Sequence, residues 1–273
     1  MTSSTRVSFE RPPVVEVACS ILFATPQPLR GAHIGLYQKK ISDTFPRFEE
    51  AAPLPPVIEA QEPGTGAVQL AYGVGFGLVP PLRRSWFISE DGRNLIQLQE
   101  DRFIFNWKKA GDDDTYPRYD SVIEQFNQYL NGFVEFLVEQ GLGSPAYRQF
   151  ELIYVNQIPL GAAEIEVSES RVLVDHVRDA SRSRFLAEPE GVNWVSSYSL
   201  PNNEGRLYAA AQSARAPDGR RILRLDMTAR GIPSDATEAS RQAWFDQAHN
   251  WITRGFADLT AKDVQEKVWR RTA

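Results

Sequence analysis

The chain runs through one order of elements twice, and that order limits its fold more than any single motif does. An apolar, alternating run opens it at Val14 to Phe23, and a second such run restarts it at Gln149 to Ile158. After each opening come a helical segment, a strand, hairpin strands and a long aromatic helix. Two copies of one strand–helix–meander–helix unit predict a pseudo-symmetric pair with a saddle or cleft between them.

In the first half, alternation puts Val15, Val17, Cys19, Ile21 and Phe23 on one face of a strand. Ile34, Tyr37, Ile41, Phe45 and Phe48 recur at helical spacing from Gly31 to Phe48, with Pro46 near the end of the pattern. The Pro-rich stretch Ala51 to Gly66 reads as an irregular connection, and a strand is expected near Ala67 to Tyr72. Arg84 to Ser89 and Asn94 to Gln99 flank Asp91-Gly92, a hairpin signal because both residues tolerate positive φ. Arg102 to Trp107 adds a third strand. A helix is predicted from Asp120 to Gln140, with Asp120 or Ser121 as N-cap and the stripe Val122, Phe126, Tyr129, Leu130, Phe133, Phe136 and Leu137.

In the second half, 161–187 is mixed: Glu164 to Val167 suits a strand, while Val172, Asp175, His176 and Asp179 suit a helix. Gly191 to Leu200 reads as a strand. Arg206 to Arg215 and Arg221 to Ala229 flank Asp218-Gly219, which matches Asp91-Gly92 as the second hairpin turn. Asp235-x-x-Glu238 resembles a capping box ahead of a helix carrying Trp244, Ala248, Trp251, Ile252, Phe256 and Leu259, and Thr260 is the expected cap of a final helix.

The expected fold is therefore α+β. It is a tandem pseudo-repeat of antiparallel sheet units, each packed by a long helix, in a helix-grip or TATA-binding-protein-like arrangement. The divisions are a flexible tail at 1–8, a first repeat at 9–145 and a second at 146–273, sharing one continuous sheet or core.

Arg11-Pro12-Pro13-Val14-Val15-Glu16-Val17, Tyr154-Val155-Asn156-Gln157-Ile158 and the stretch Ala248-His249-Asn250-Trp251-Ile252-Thr253-Arg254-Gly255-Phe256-Ala257-Asp258-Leu259-Thr260 carry a resemblance. Over nearly the whole chain it resembles the bacterial TIGR04255 family. The resemblance implies a patchily distributed accessory or defence-associated component, and it brings no catalytic residue.

Charge and chemistry narrow the function classes. A net charge of -5 argues against nucleic acid, whose binders lean on basic residues. One cysteine, Cys19, excludes an intramolecular disulfide and multi-cysteine metal sites, and its apolar setting suggests a small buried hydrophobe. No apolar leader or membrane-length apolar run is visible, so a cytoplasmic protein is expected. His33, His176 and His249 are scattered, and Gly73-Val74-Gly75-Phe76-Gly77 lacks the ending of a phosphate loop. No cofactor or metal is expected.

The candidate binding residues are Tyr154 and Asn156 on the second opening strand, Asp175 and His176, and the basic stretch Arg178, Arg182 and Arg184. They favour a non-enzymatic protein that holds a protein partner or small ligand on its sheet saddle or inter-repeat cleft. The alternatives are a hydrolytic enzyme using Asp175, His176 and the arginines, and a nucleic-acid-associated regulator. A homo-oligomer is compatible with all three.

Overall fold

The structure is a computed structural model. It describes residues 7–55, 57–59, 67–69, 82–111, 113–161, 172–174, 185, 190–216, 218–232, 235 and 237–273. In chain order the strands and helices are β1 (Val14–Ala24), α1 (Gly31–Ile41), β2 (Arg47–Ala51), β3 (Val57–Glu59), β4 (Ala67–Gln69), β5 (Arg84–Ile88), β6 (Asn94–Gln99), β7 (Arg102–Lys108), α2 (Tyr119–Glu139), β8 (Ala146–Pro159), β9 (Asn193–Ser199), β10 (Arg206–Arg215), β11 (Arg221–Gly231), α3 (Glu238–Leu259) and α4 (Lys262–Lys267).

Nine strands form one antiparallel sheet in the order β2-β5-β6-β7-β1-β8-β11-β10-β9, while β3 and β4 pair separately. The two opening runs of the sequence, β1 and β8, lie side by side at its centre, paired from Val14 opposite Asn156 to Ala24 opposite Ala146, with register shifts between Val14 and Glu16 and between Leu22 and Phe23. Central strands are buried on both faces, which fits their near-continuous apolar runs. Outward from this seam come β7, β6, β5 and β2 on one side and β11, β10 and β9 on the other.

Both long helices lie on one face, α2 over β7 and β1, α3 over β11, β8 and β10. Between helices and sheet, Phe103 stacks on Phe133 at 5.2 Å, and Phe126 meets Phe245 of α3 at 5.1 Å. Burying each such ring contributes about 1.5–3 kcal/mol. Among the described residues, no helix is long and apolar enough to cross a membrane.

Several local expectations are corrected. The helical spacing of 31–48 overruns the helix, which ends at Ile41. The Phe45 N–H bonds back to the Ile41 carbonyl, delivering Phe45 into the core, and Pro46 cannot extend the ladder. Phe48 then lies in edge strand β2. Helix α2 starts at Tyr119 with Arg118 at the cap position, so neither Asp120 nor Ser121 is the cap. Thr237 caps α3 by accepting from the Ser240 N–H, and Asp235 instead accepts from Thr237. Thr260 donates its hydroxyl to the Phe256 carbonyl and so finishes α3, leaving Ala261 as the N-cap of α4.

Both Asp-Gly turns form hairpins, with Gly92 at φ 74° and Gly219 at φ 87°. They do not hold equivalent places. Asp91-Gly92 joins the fourth and third strands from the seam, and Asp218-Gly219 joins the third and second. Ser8, assigned to the tail, is tied to the C-terminus by the Thr272 N–H at 2.9 Å. The strand expectations at 70–72 and 164–167, the helical expectation at 175–179 and the glycine run 73–77 lie outside the described residues.

Candidate functional site

The sheet has two unlike faces because its strands alternate two kinds of residue. On β8, Phe150, Leu152 and Tyr154 point to the helices, so Gln149 and Glu151 point to the far face. On β7, Phe103, Phe105 and Trp107 point to the helices, so Arg102, Ile104 and Asn106 point away. The register lines these up. Ser20 sits between Ile104 and Glu151, and Glu151 continues through Arg230 to Arg206. The far face of the central strands is thus polar yet buried: Ser20, Gln97, Gln99, Arg102, Asn106, Gln149, Glu151 and Arg206 are all nearly sealed from solvent.

Part of this seal is the chain's own residues Leu54, Val57 and Glu59, which bond to the far face. The side-chain amide of Gln99 bonds both the N–H and the carbonyl of Leu54, each at 3.0 Å. The amide of Gln149 likewise accepts from the Glu59 N–H and donates to the Val57 carbonyl, both at 2.7 Å. Two glutamines therefore take the place of a neighbouring strand's peptide groups. The Glu59 carboxylate pairs with Arg206 and accepts from the Tyr208 hydroxyl at 2.8 Å. That pairing raises the pKa of Arg206. Burial first, and then the Glu59 bond, raise that of Tyr208.

The other half of the far face is less complete. Glu151 accepts from Arg230 Nε at 2.7 Å and from Gln149 at 3.0 Å, whereas Arg102 Nη1 stands 3.9 Å away. Arg102 is only 6 % exposed at its side chain, yet its Nε and Nη2 have no partner. Arg84 Nε, Trp86 Nε1 and Ser20 Oγ, on the same face, are also buried and unpaired. These are five of the nine such side-chain atoms among the described residues, and all five are donors. Arg84 Nη1 donates to Gln97, Gln97 to Asn106 and Asn106 to Glu16, so that chain ends on a carboxylate. Burial first, and then the Arg102 charge, lower the pKa of Arg84. Arg102 and Arg230 thus share the buried carboxylate of Glu151, and the leftover donors suit an anion.

The residues singled out from sequence fall elsewhere. Tyr154 points to the helices and shares a 2.7 Å hydrogen bond with the Tyr116 hydroxyl. Asn156 lies on the same side and donates to the Leu225 carbonyl at 2.9 Å. Neither lines the far face. Asp175, His176, Arg178, Arg182 and Arg184 lie outside the described residues.

Two other places hold clustered polar or aromatic side chains. Between α2 and α3, His249 stacks on Tyr119 at 4.0 Å and lies 5.9 Å from Tyr154. Tyr119 donates to Asp246, and Tyr116 pairs with Tyr154, so the hydroxyls of this cluster are taken up in packing. A cavity of about 520 Å³ opens beside α3, lined by Tyr198, Leu207, Trp251, Arg254 and Asp258. It presents no comparable group of unmet buried donors. Among the described residues, no group of three His, Cys, Asp or Glu side chains is placed to hold a metal ion.

The far-face residues left a trace in the sequence. Arg102 precedes Phe-Ile-Phe-Asn-Trp, and Glu151 sits between Phe150 and Leu152. Charges inside runs that read as central strands are costly to bury, and that cost is the signal. No family model, curated protein or solved structure matches the chain.

Proposed function

We propose that this chain is a non-enzymatic binding protein that holds a protein partner or small ligand on the far face of its sheet, as an accessory component in its host. One observation carries the reading: five buried donor atoms on that face lack partners within the protein. Natural interiors pair nearly all such groups, so a cluster of unmet donors marks a place that an outside acceptor completes. The chemistry favours binding over turnover. Guanidinium, indole and hydroxyl donors fix a ligand in place, and the one carboxylate among them, Glu151, is already held by Arg230 and Gln149.

The finer fold reading belongs to the same proposal. Two copies of an antiparallel unit, each with its long helix, meet at the β1–β8 seam in the manner of a TATA-binding-protein saddle. Support comes from the strand order, in which each half places its opening strand at the centre, resumes at the outer edge and steps back inward, and carries its long helix on the same face.

The test is retention. The purified chain is incubated with extract of its native host, and co-purifying proteins and small molecules are identified by mass spectrometry. Thr228→Trp places a large ring on the far face of β11. Retention by the wild type and its loss in this variant are expected. The same retained set from both chains would move the binding site off the far face.

A further inference from the structure

We propose that the far face seats an oxyanion, a carboxylate or phosphate group, on the free edge of the Arg102 guanidinium. This inference rests on the far face being the binding surface and adds the class of group bound.

The geometry starts from which donors of Arg102 are taken. Nη1 faces Glu151 at 3.9 Å, while Nε and Nη2 are buried and unpaired. Nε–H and Nη2–H share one edge of the guanidinium and point in parallel, the fork that grips two oxygens of a carboxylate or phosphate at once. Both donors of that fork are unpaired.

The surroundings favour negative charge there. Arg102 and Arg230 both face the carboxylate of Glu151, which Arg230 already holds at 2.7 Å. Among the described residues, carboxylates elsewhere on or beside this face are engaged. Asp101 accepts from Gln99, Glu16 from Asn106, Asp226 from Arg224, and Glu59 pairs with Arg206. The excess positive charge in a sealed region is what an anion would offset.

Neutral donors extend the site. Ser20 Oγ lies one strand over, diagonal to Arg102 across the β1–β7 register, and is buried without a partner. Arg84 stands on the far face two strands away with Nε unmet, its ring-facing side against Trp86 at 5.2 Å. An oxyanion held by the Arg102 fork would have Ser20 as its nearest neutral donor on β1, and a longer anion would extend toward Arg84.

Titration calorimetry of the full chain with inorganic phosphate, and separately with acetate, tests the inference. The two arms tell a phosphate-bearing ligand from a carboxylate-bearing one. Saturable one-to-one binding of at least one probe is expected. Arg102→Gln should weaken it roughly ten- to hundred-fold, the size of a lost charged hydrogen-bond pair. Arg102→Lys, which keeps the charge and removes the fork, should not restore it. Arg84→Gln, at a half-buried position, should weaken it less and keeps the test available should the Arg102 variants fold poorly.

Binding of neither probe by the wild type overturns the proposal, as does equal binding by all variants. If host molecules are still retained by the wild type and lost in Thr228→Trp, the far face stands as the binding surface and only the oxyanion assignment falls.

Discussion

The two faces of the central strands are equally dry and differ in almost everything else. On the helix side, Ile21, Phe103 and Phe150 are fully buried among aromatic rings. One residue along each strand, on the far side, Ser20, Arg102 and Glu151 are just as inaccessible. The helix side stabilises by removing apolar surface from water. The far side leaves donors unmet, at a cost on the order of 1–3 kcal/mol for each buried unpaired group. Burial alone therefore does not mark core. A face that is dry, polar and incompletely paired weakens the fold, and a role in binding gives a physical reason to keep it.

The comparison breaks most visibly at Phe133. Its ring lies against Phe23, Tyr37, Phe103 and Phe136. Phe133→Ala should lower unfolding free energy by about 3–5 kcal/mol in a denaturant titration. A loss under about 1 kcal/mol would mean that the helix side does not dominate stability. Next in size is Glu151→Gln. It takes the shared carboxylate from Arg230 and Arg102 and strands two buried cations, so a loss of about 3 kcal/mol is expected by the same measurement. An unchanged midpoint would show that water reaches these groups.

The helix side was the legible one. Periodicity gave the aromatic stripe of α2, the placing of β1 and β8, and the antiparallel α+β class, because apolar spacing follows directly from which side is buried. It failed where a turn imitates a helix, at Phe45, and where several oxygen-bearing residues near one helix end compete to cap it, at Asp235 and Thr237. The Asp-Gly turns were legible as hairpins, but their places in the sheet were not, since strand order depends on long-range pairing. The far face was hidden for a related reason. Tyr154 and Asn156 drew attention as polar residues on a strand, but which face is polar depends on the helices that cover the other one. The informative residues were the charges at Arg102 and Glu151, whose meaning depends on partners from β8 and β11 far along the chain.

Alkaline titration reads the helix side through four of its groups, while Tyr208 on the far face adds a share of the same sign. Cys19, Tyr37, Tyr116 and Tyr154 belong to the helix side, and burial raises the pKa of each. Their ordinary values are 9.0 for the thiol and 10.0 for the phenols. Below those values both folded and unfolded chains keep the protons, and the stability contribution is complete. As pH rises past them, the unfolded chain releases protons that the folded chain retains, and stability falls until the folded groups also ionise. The expected slope is about 1.4 kcal/mol per pH unit for each group ionised only in the unfolded chain. Denaturant midpoints between pH 8 and 11 would show it, and Cys19→Ala should flatten the slope by the thiol's share. A flat profile would mean that water reaches the helix side.

The smallest expected change is the most discriminating. Arg102→Met removes a buried cation whose better donors are unpaired and whose one ionic neighbour, at 3.9 Å, is already held by Arg230. The thioether side chain has similar length and no donors to satisfy. Replacing a poorly paired buried ion by an apolar residue of similar volume is often neutral or stabilising. The expected shift is therefore between zero and a gain of about 1 kcal/mol, read as an unchanged or raised denaturant midpoint. A residue that costs stability and can be removed without harm is kept for what it binds. A loss above about 2 kcal/mol would instead make Arg102 a structural partner of Glu151, and the two faces would then differ in composition but not in purpose.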